Sequence, residues 1–538
     1  MSATTAAGAA STPPGAVSTS EQVLTHREIL AVLAGLLAAL FTALLSSTIV
    51  STALPTIIGD LQGTQTQYAW VITTALLANA ASTPIWGKLA DLFNKKLLVQ
   101  ISIVIFVVGS VIAGLAHNVP VLLGARVVQG LGMGGLTALV VAIIGSIIPP
   151  RERGRYSGYM GAVMAVAMSG GPVLGGVIVD SPLGWRWCFY VCVPIAIVAL
   201  VLLQRTLSIA TVRKADVKID WLGATLITAG VSVLLVWVSF AGKEGYYEWF
   251  SLDSALYVLI GVALLVATVI VESKVADPVI PLKIITERTT ALAIIASIAV
   301  GVGLFGATTF LTQYFQTARG YGPTAAGLLT IPMVFGTLVS SLVSGQLITR
   351  FGHWKPFIIG GAVLQFVGFA LLGTIDHATS MQLIGVYIAV VGLGTGMLMQ
   401  NLVLAVQNTV SVRNIGAASS SVAFFRTFGG AIGVSVLGSI LAARVTTLSA
   451  EGFAKLGIDT SGSGSGGNLD LEALPEPVAD VVMTAYGDAT GKLFLVAAAF
   501  ALVTLVAVVL IPNRTLRTTI DIVDDAPATD RREDPAEV

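Results

Sequence analysis

The sequence predicts an all-α integral membrane protein: two six-helix bundles plus two extra central helices, fourteen transmembrane helices in all. Three observations lead there. About fourteen apolar stretches of roughly 20 to 30 residues recur along the chain, against the ~20 residues needed to cross hydrocarbon. Of 538 residues, 55% are hydrophobic and only 11% charged, whereas soluble domains carry about 25% charge. Lys and Arg gather in alternate short loops, as they do when successive helices cross a bilayer.

Six spans begin near Ile29, Tyr68, Leu97, Pro120, Arg155 and Gly184, forming a first bundle over residues 28–205. A linker, 206–287, holds the two additional spans, Trp221 to Phe240 and Ser251 to Val271. The second bundle, 288–512, has spans starting near Arg288, Tyr321, Lys355, Met381, Gly416 and Lys492. Between its last two spans a long extracytoplasmic loop is expected over 443–490. It contains the flexible tract Ser461-Gly462-Ser463-Gly464-Ser465-Gly466-Gly467, and Pro477 to Tyr486 in it could form a short amphipathic helix. Residues 1–27 read as a disordered leader and 513–538 as a solvated tail, each lacking an apolar face.

Lys88, Lys95 and Lys96, Arg151 and Arg153, Arg213, Lys214 and Lys218, and Arg350, Lys355 and Arg413 fall in even-numbered loops. Those loops, with both termini, are expected on the cytoplasmic side of the cell membrane. Lys plus Arg and Asp plus Glu are 29 each, so no net field draws nucleic acid. Cys188 and Cys192 share one helix face at a spacing awkward for a disulfide and read as small core residues.

A weak internal repeat, Gly87-Lys88-Leu89 and Gly345-Gln346-Leu347, ends span two and span ten. Repeated six-helix blocks are the plan of carriers that rock two halves about a midplane site. Transport is therefore the leading class.

Several motifs carry a closer likeness. Gly87 to Lys96 fits the loop pattern G-x-L-a-D-r-x-G-r-k, with Leu92 in place of Arg and Asn94 in place of Gly, the latter a residue tolerant of left-handed backbone. Arg126-Val127-Val128-Gln129-Gly130-Leu131-Gly132 fits R-x-x-Q-G-x-G. Gly170-Gly171-Pro172-Val173-Leu174-Gly175-Gly176 fits G-P-x-x-G-G, Leu45 to Pro55 fits a first-span signature, and Asp220-Trp221-Leu222-Gly223 opens the extra pair. By these the chain resembles the major facilitator superfamily and its fourteen-span drug/proton antiporter branch. The resemblance implies proton coupling and gating through Asp91, Arg126, Gly87 and Gln129, and an exporter's antiporter motif at Gly171, Pro172, Gly175 and Gly176. It also marks one departure: Ser46 stands where the branch commonly has Asp.

No acid falls in the middle of any expected span, while Arg126 and Arg426 lie well inside theirs. A lipophilic cation is best held by an embedded carboxylate. The chamber should therefore take neutral or anionic amphiphiles, with Ser46, Arg426, Gln313, Gln316, Gln400 and Asn401 lining it and Gln365 and Gln407 as further amides. Arginine stays protonated, so the candidates for the proton carrier are Asp91 and, second, Asp180. Asp91 is expected to meet the positive N-terminal end of span thirteen near Gly416.

The function expected is proton-coupled efflux of hydrophobic or amphipathic small molecules by alternating access. A dedicated exporter of an endogenous lipid, siderophore or antibiotic is the alternative, and a non-transporting receptor a third reading. His26, His117, His353 and His377 are scattered, so no enzyme site is gathered, and no G-x-x-x-x-G-K-[ST] loop is present for ATP. The partners expected are a small-molecule substrate, protons and the lipid bilayer, with no nucleic acid, no cofactor and no metal. The chain should act as a monomer, with an accessory envelope partner as the other possibility.

Overall fold

The computed structural model describes residues 26–62, 65–207, 220–242, 246–275, 282–456 and 476–517, and its ordered segments are helical. The first bundle comprises α1 (His26–Asp60), α2 (Gln65–Leu92), α3 (Lys95–Gly114), α4 (Val119–Ile147), α5 (Pro150–Asp180), α6 (Trp187–Tyr190) and α7 (Cys192–Thr206). A hairpin of α8 (Trp221–Phe240) and α9 (Leu252–Glu272) follows, then the short α10 (Leu282–Ile285). The second bundle comprises α11 (Arg288–Gln313), α12 (Pro323–Leu329), α13 (Ile331–Phe351), α14 (Lys355–Leu372), α15 (Met381–Met399), α16 (Asn401–Gln407), α17 (Ile415–Lys455) and α18 (Glu476–Leu510).

Local chemistry sets many of the helix ends. Asn118 accepts from Val121 N–H at 2.9 Å to open α4, Asp220 from Gly223 N–H at 2.8 Å to open α8, and Ser251 from Ser254 N–H at 3.2 Å to open α9. Each satisfies a donor that the first helical turn leaves orphaned. Gly352, at φ 73°, ends α13 in the left-handed conformation that glycine adopts without strain.

Twelve of the described helices are long and apolar enough to cross a membrane. The expected fourteen are not confirmed by that measure, which leaves out α2 and α8. Helix α8 is 20 residues from Trp221 to Phe240, of which the measure takes in Leu222–Val238. Helix α2 carries Asn79, Ser82, Thr83, Pro84 and Lys88, and it packs on α4 and α17, so much of its surface faces protein rather than lipid. Helix α9 is the reverse case, with Leu256, Leu259, Ile260, Val262 and Val266 exposed to the surroundings.

Within the first bundle α4 packs on α2 and α3, and α1 on α5 and α7. In the second, α11 packs on α17 and α18, and α15 on α13 and α14. The bundles meet along two seams, α5 with α13 and α2 with α17. Helix α8 covers the second seam: Ala224, Ile227, Val231 and Leu235 cluster with Ala80 of α2 and Phe424 of α17. Cys188 and Cys192 are free thiols, both buried, as core residues should be.

Two expected boundaries are corrected. The loop placed at 443–490 is largely helix, because α17 continues to Lys455 and α18 already begins at Glu476. Val445 and Leu448 pack on the core of the second bundle, and a Cβ at Gly452 would strike Val481, so the two helices extend as a packed pair. The Ser-Gly tract lies outside the described residues. So do residues 1–25 of the expected leader and 518–538 of the expected tail.

The start of that tail is not a solvated strand. Leu516 is buried, Arg517 Nη2 donates to the carbonyls of Gln407 and Val410 at 3.1 and 2.9 Å, and Asn408 Nδ2 donates to Thr515 O at 3.0 Å. The segment straps the end of α16, whose last carbonyls need donors. Arg517→Met should lower stability by roughly 1.5–3 kcal/mol, the worth of charge-assisted hydrogen bonds. A detergent melt followed by tryptophan fluorescence checks this, and an unchanged midpoint would show the strap to be idle.

Candidate functional site

The two bundles touch at the end of the molecule that carries the Lys- and Arg-bearing turns, here the basic end. Helix α17 starts there without a cap of its own, since the Asn414 side chain makes no capping bond. The bond comes from the other bundle. Asp91 Oδ1 accepts from Gly416 N–H and Oδ2 from Ala417 N–H, both at 2.9 Å. These are the N2 and N3 donors of the helix, where a local cap would bind. Gly87 makes the approach possible: a Cβ there would overlap Ser420 and lie 2.9 Å from the Gly416 carbonyl.

The other seam closes at the same end. The Arg155 N–H donates to Thr349 Oγ1 at 2.9 Å and Ser341 Oγ to the Gly158 carbonyl at 3.3 Å. Gly154 and Gly345 meet backbone to backbone, with a Cβ on Gly154 falling 2.9 Å from the Gly345 carbonyl. Arg153, fully buried, bonds the Ile148 carbonyl at 2.6 Å, the Gly145 carbonyl, and Gln407 Oε1 of the other bundle at 3.4 Å.

Asn94 corrects one expectation. It sits at φ −63°, ψ 110°, not in left-handed backbone, and caps α3 by accepting from Lys96 N–H at 2.9 Å and Leu97 N–H at 3.3 Å. Asparagine at the glycine position of the motif therefore does a different job.

Deeper in the first bundle, Arg126 Nε donates to the Val71 carbonyl at 3.2 Å and Nη1 to Gln129 Oε1. Gln129 Nε2 passes the network on to Ser46 Oγ at 3.0 Å and Ser110 Oγ at 2.9 Å. Four helices, α1 to α4, are tied by it. Ser110 is a member that the motif did not reveal. In the second bundle Arg426 Nη1 donates to the Met399 carbonyl at 3.1 Å. Among the described residues neither buried arginine has a carboxylate partner.

The glycine-rich stretch from Gly170 to Gly176 is split between two neighbours. A Cβ on Gly171 would overlap Thr48, and one on Gly175 would lie 3.0 Å from the Ile49 carbonyl, so both glycines seat α1. Gly176 faces Thr324, 3.0 Å away on the same construction, and Pro172 Cβ lies equally near Gly327, so these two meet α12 of the other bundle.

The amides separate by role. Gln365 bonds Thr395 at 3.3 Å and Asn401 bonds Ser344 at 3.3 Å, both within the second bundle, as helix glue. Gln400 reaches the first bundle, its Nε2 3.1 Å from Met164 Sδ, and Gln407 reaches the Val141 carbonyl at 3.4 Å. Gln313 and Gln316 are half-buried, at the end of α11 and in the π turn Tyr314–Ala318. A methionine-rich contact between the bundles was not foreseen: Met133, Met160 and Met164 cluster with Leu304 and Met399. Met packs against many shapes, a property of promiscuous surfaces, and its spacing alone marks it only as apolar.

Two helical bundles that meet along two seams, with buried polar networks between apolar helices long enough to cross a membrane, describe a multi-pass membrane carrier. The chain belongs to the major facilitator superfamily, whose family pattern matches residues 36–434. It is 34% identical over 478 residues to an uncharacterized MFS-type transporter of Mycobacterium tuberculosis, covering 88% of this chain and 67% of that one. It is also 34% identical over 392 residues to the multidrug transporter protein MdtP of Bacillus subtilis, covering 73% and 71%. The fold is similar to that of the proton:xylose symporter XylE, with a TM-score of 0.59 at 14% identity, covering 92% of this chain and 98% of that one.

Proposed function

We propose that this carrier exports hydrophobic or amphipathic small molecules in exchange for protons, by alternating access between its two bundles. In this reading α2 and α8 also cross the bilayer, giving fourteen spans, and the basic end faces the cytoplasm. The observation that carries it is Asp91, a carboxylate of one bundle holding the exposed backbone donors of a helix in the other. Its charge strengthens both bonds and suits the positive helix end. Protonation removes the charge, loosens the basic end, and so links a proton to opening toward the cytoplasm.

The cargo is neutral or anionic. Arg126 and Arg426 give the interior positive charge with no described carboxylate to offset it, while Met133, Met160, Met164 and Met399 supply an adaptable apolar surface. The relative named a multidrug transporter agrees in class.

Proteoliposome efflux of a neutral, an anionic and a cationic dye under an imposed proton gradient tests direction, coupling and charge preference together. Efflux of the first two in exchange for protons supports the reading. Gradient-independent leakage, or a preference for the cation, overturns it. A carboxylate supplied at the missing position should reverse the selectivity: Ser46→Asp is expected to raise the cation-to-anion efflux ratio about tenfold, equivalent to ~1.4 kcal/mol. An unchanged ratio would disconnect Ser46 and its bonded network from the cargo.

A further inference from the structure

On the outer face of the first bundle, away from the seams, α3 and α7 leave an open groove of about 390 Å³ lined by Gln100, Val104, Leu200, Val201, Gln204 and Arg205. Its chemistry is graded along its length. Toward the core the walls are Val104, Leu200 and Val201, with Val104 and Val201 exposed on the outer surface. Toward the basic end the groove finishes in two cations. Lys96 Nζ donates to the Gln204 carbonyl at 2.8 Å, and Arg205 is exposed. Gln100 Nε2 donates to Gln204 Oε1 at 2.6 Å, holding the floor between them. Neither Lys96 nor Arg205 has an ion pair among the described residues.

Part of this arrangement recurs in the second bundle. Lys355, at the start of α14, donates to the Val509 carbonyl of α18 at 3.0 Å, so a lysine closing the end of the last helix is a shared structural staple. The cation beside it differs. Arg514 is paired with Glu287 at 3.6 Å, whereas Arg205 in the first bundle is left to the surroundings. Lys96 uses one of three ammonium donors on the staple and keeps two for a ligand.

We infer that the α3–α7 groove binds an anionic phospholipid of the adjoining leaflet, its phosphate between Lys96 and Arg205 and an acyl chain along Val104, Leu200 and Val201. A basic pocket between membrane helices at their basic end suits an anionic headgroup, and the apolar walls open directly onto the hydrocarbon that supplies the chain. The inference needs only that the chain sits in a bilayer, and it stands apart from the transport cycle.

Native mass spectrometry of the full-length protein with phosphatidylglycerol or phosphatidylcholine tests it. The wild type should retain phosphatidylglycerol several-fold over phosphatidylcholine. The Lys96→Gln/Arg205→Gln variant should bring that ratio close to one, while Lys355→Gln, which removes only the staple of the other bundle, leaves it unchanged. Equal retention of both lipids by the wild type, an unaltered ratio in the double variant, an equal loss in Lys355→Gln, or displacement of the lipid by free inorganic phosphate overturns the inference. Should the double variant not fold, Val201→Trp, which fills the groove from the lipid side, must produce the same fall in ratio.

Discussion

Replacing Asp91 by asparagine is expected to abolish efflux driven by an imposed proton gradient while leaving the protein folded. The carboxylate accepts from two backbone donors at once, Gly416 N–H and Ala417 N–H, each 2.9 Å away. Asparagine keeps one oxygen acceptor and turns an NH2 group toward the second donor. It also loses the charge that makes the remaining bond strong. The closed basic end should lose about 3 kcal/mol, a shift of ~100-fold in the balance between closed and open forms. Since the amide imitates a permanently protonated acid, transport by Asp91→Asn should also stop responding to pH. Wild-type rates in this variant under the same gradient would remove Asp91 from the coupling mechanism.

The second large effect is steric. Gly345→Val should hold the basic end open and stop transport, because its new side chain would overlap the Gly154 carbonyl and come within 3.2 Å of the Gly158 α-carbon at its first atom. Both obstacles are backbone, so no rotamer change relieves them. The nearest contacts are in the opposite bundle, so each bundle should still fold. Spin or fluorescent labels at Phe93 and Phe351, both exposed at this end, should read a longer distance in Gly345→Val than in the wild type. The buried native thiols should not compete for the label. Gly360→Val, where a Cβ meets nothing within 4 Å, is the control expected to transport normally. A wild-type distance in Gly345→Val would mean that this seam does not form the closure.

Apolar stretches were legible because hydrocarbon allows few alternatives to a helix. The ends were harder to read where helices leave the bilayer. Arg444, Thr446 and Thr447 look like loop, yet Val445 and Leu448 find the core of the second bundle and carry α17 onward. In the same way one leucine and one arginine, Leu516 and Arg517, are enough to bind a segment that otherwise reads as solvated. Asp91 could be matched with Gly416 in advance because a carboxylate and a helix start are complementary by charge alone. The amides carried no such address. Gln365 and Gln407 are chemically identical, and only packing assigns one to glue within a bundle and the other to the contact between bundles. Arg153 shows the same limit: as sequence it counts toward loop charge, and as structure it is fully enclosed.

The way α8 lies over the α2–α17 seam bears on how the halves could turn without tearing. Phe424, Phe425 and Phe428 meet Ala224, Ile227 and Val231 through apolar surface, and dispersion contacts are individually small and indifferent to direction. In the proposed cycle such a surface would serve as a greased bearing, one partner pair being traded for the next as the helices slip. A directional anchor lies at one rim, where Trp249 Nε1 donates to Ser439 Oγ at 3.0 Å, so the hairpin is tethered to α17 at its tip while its shaft meets the seam through apolar side chains.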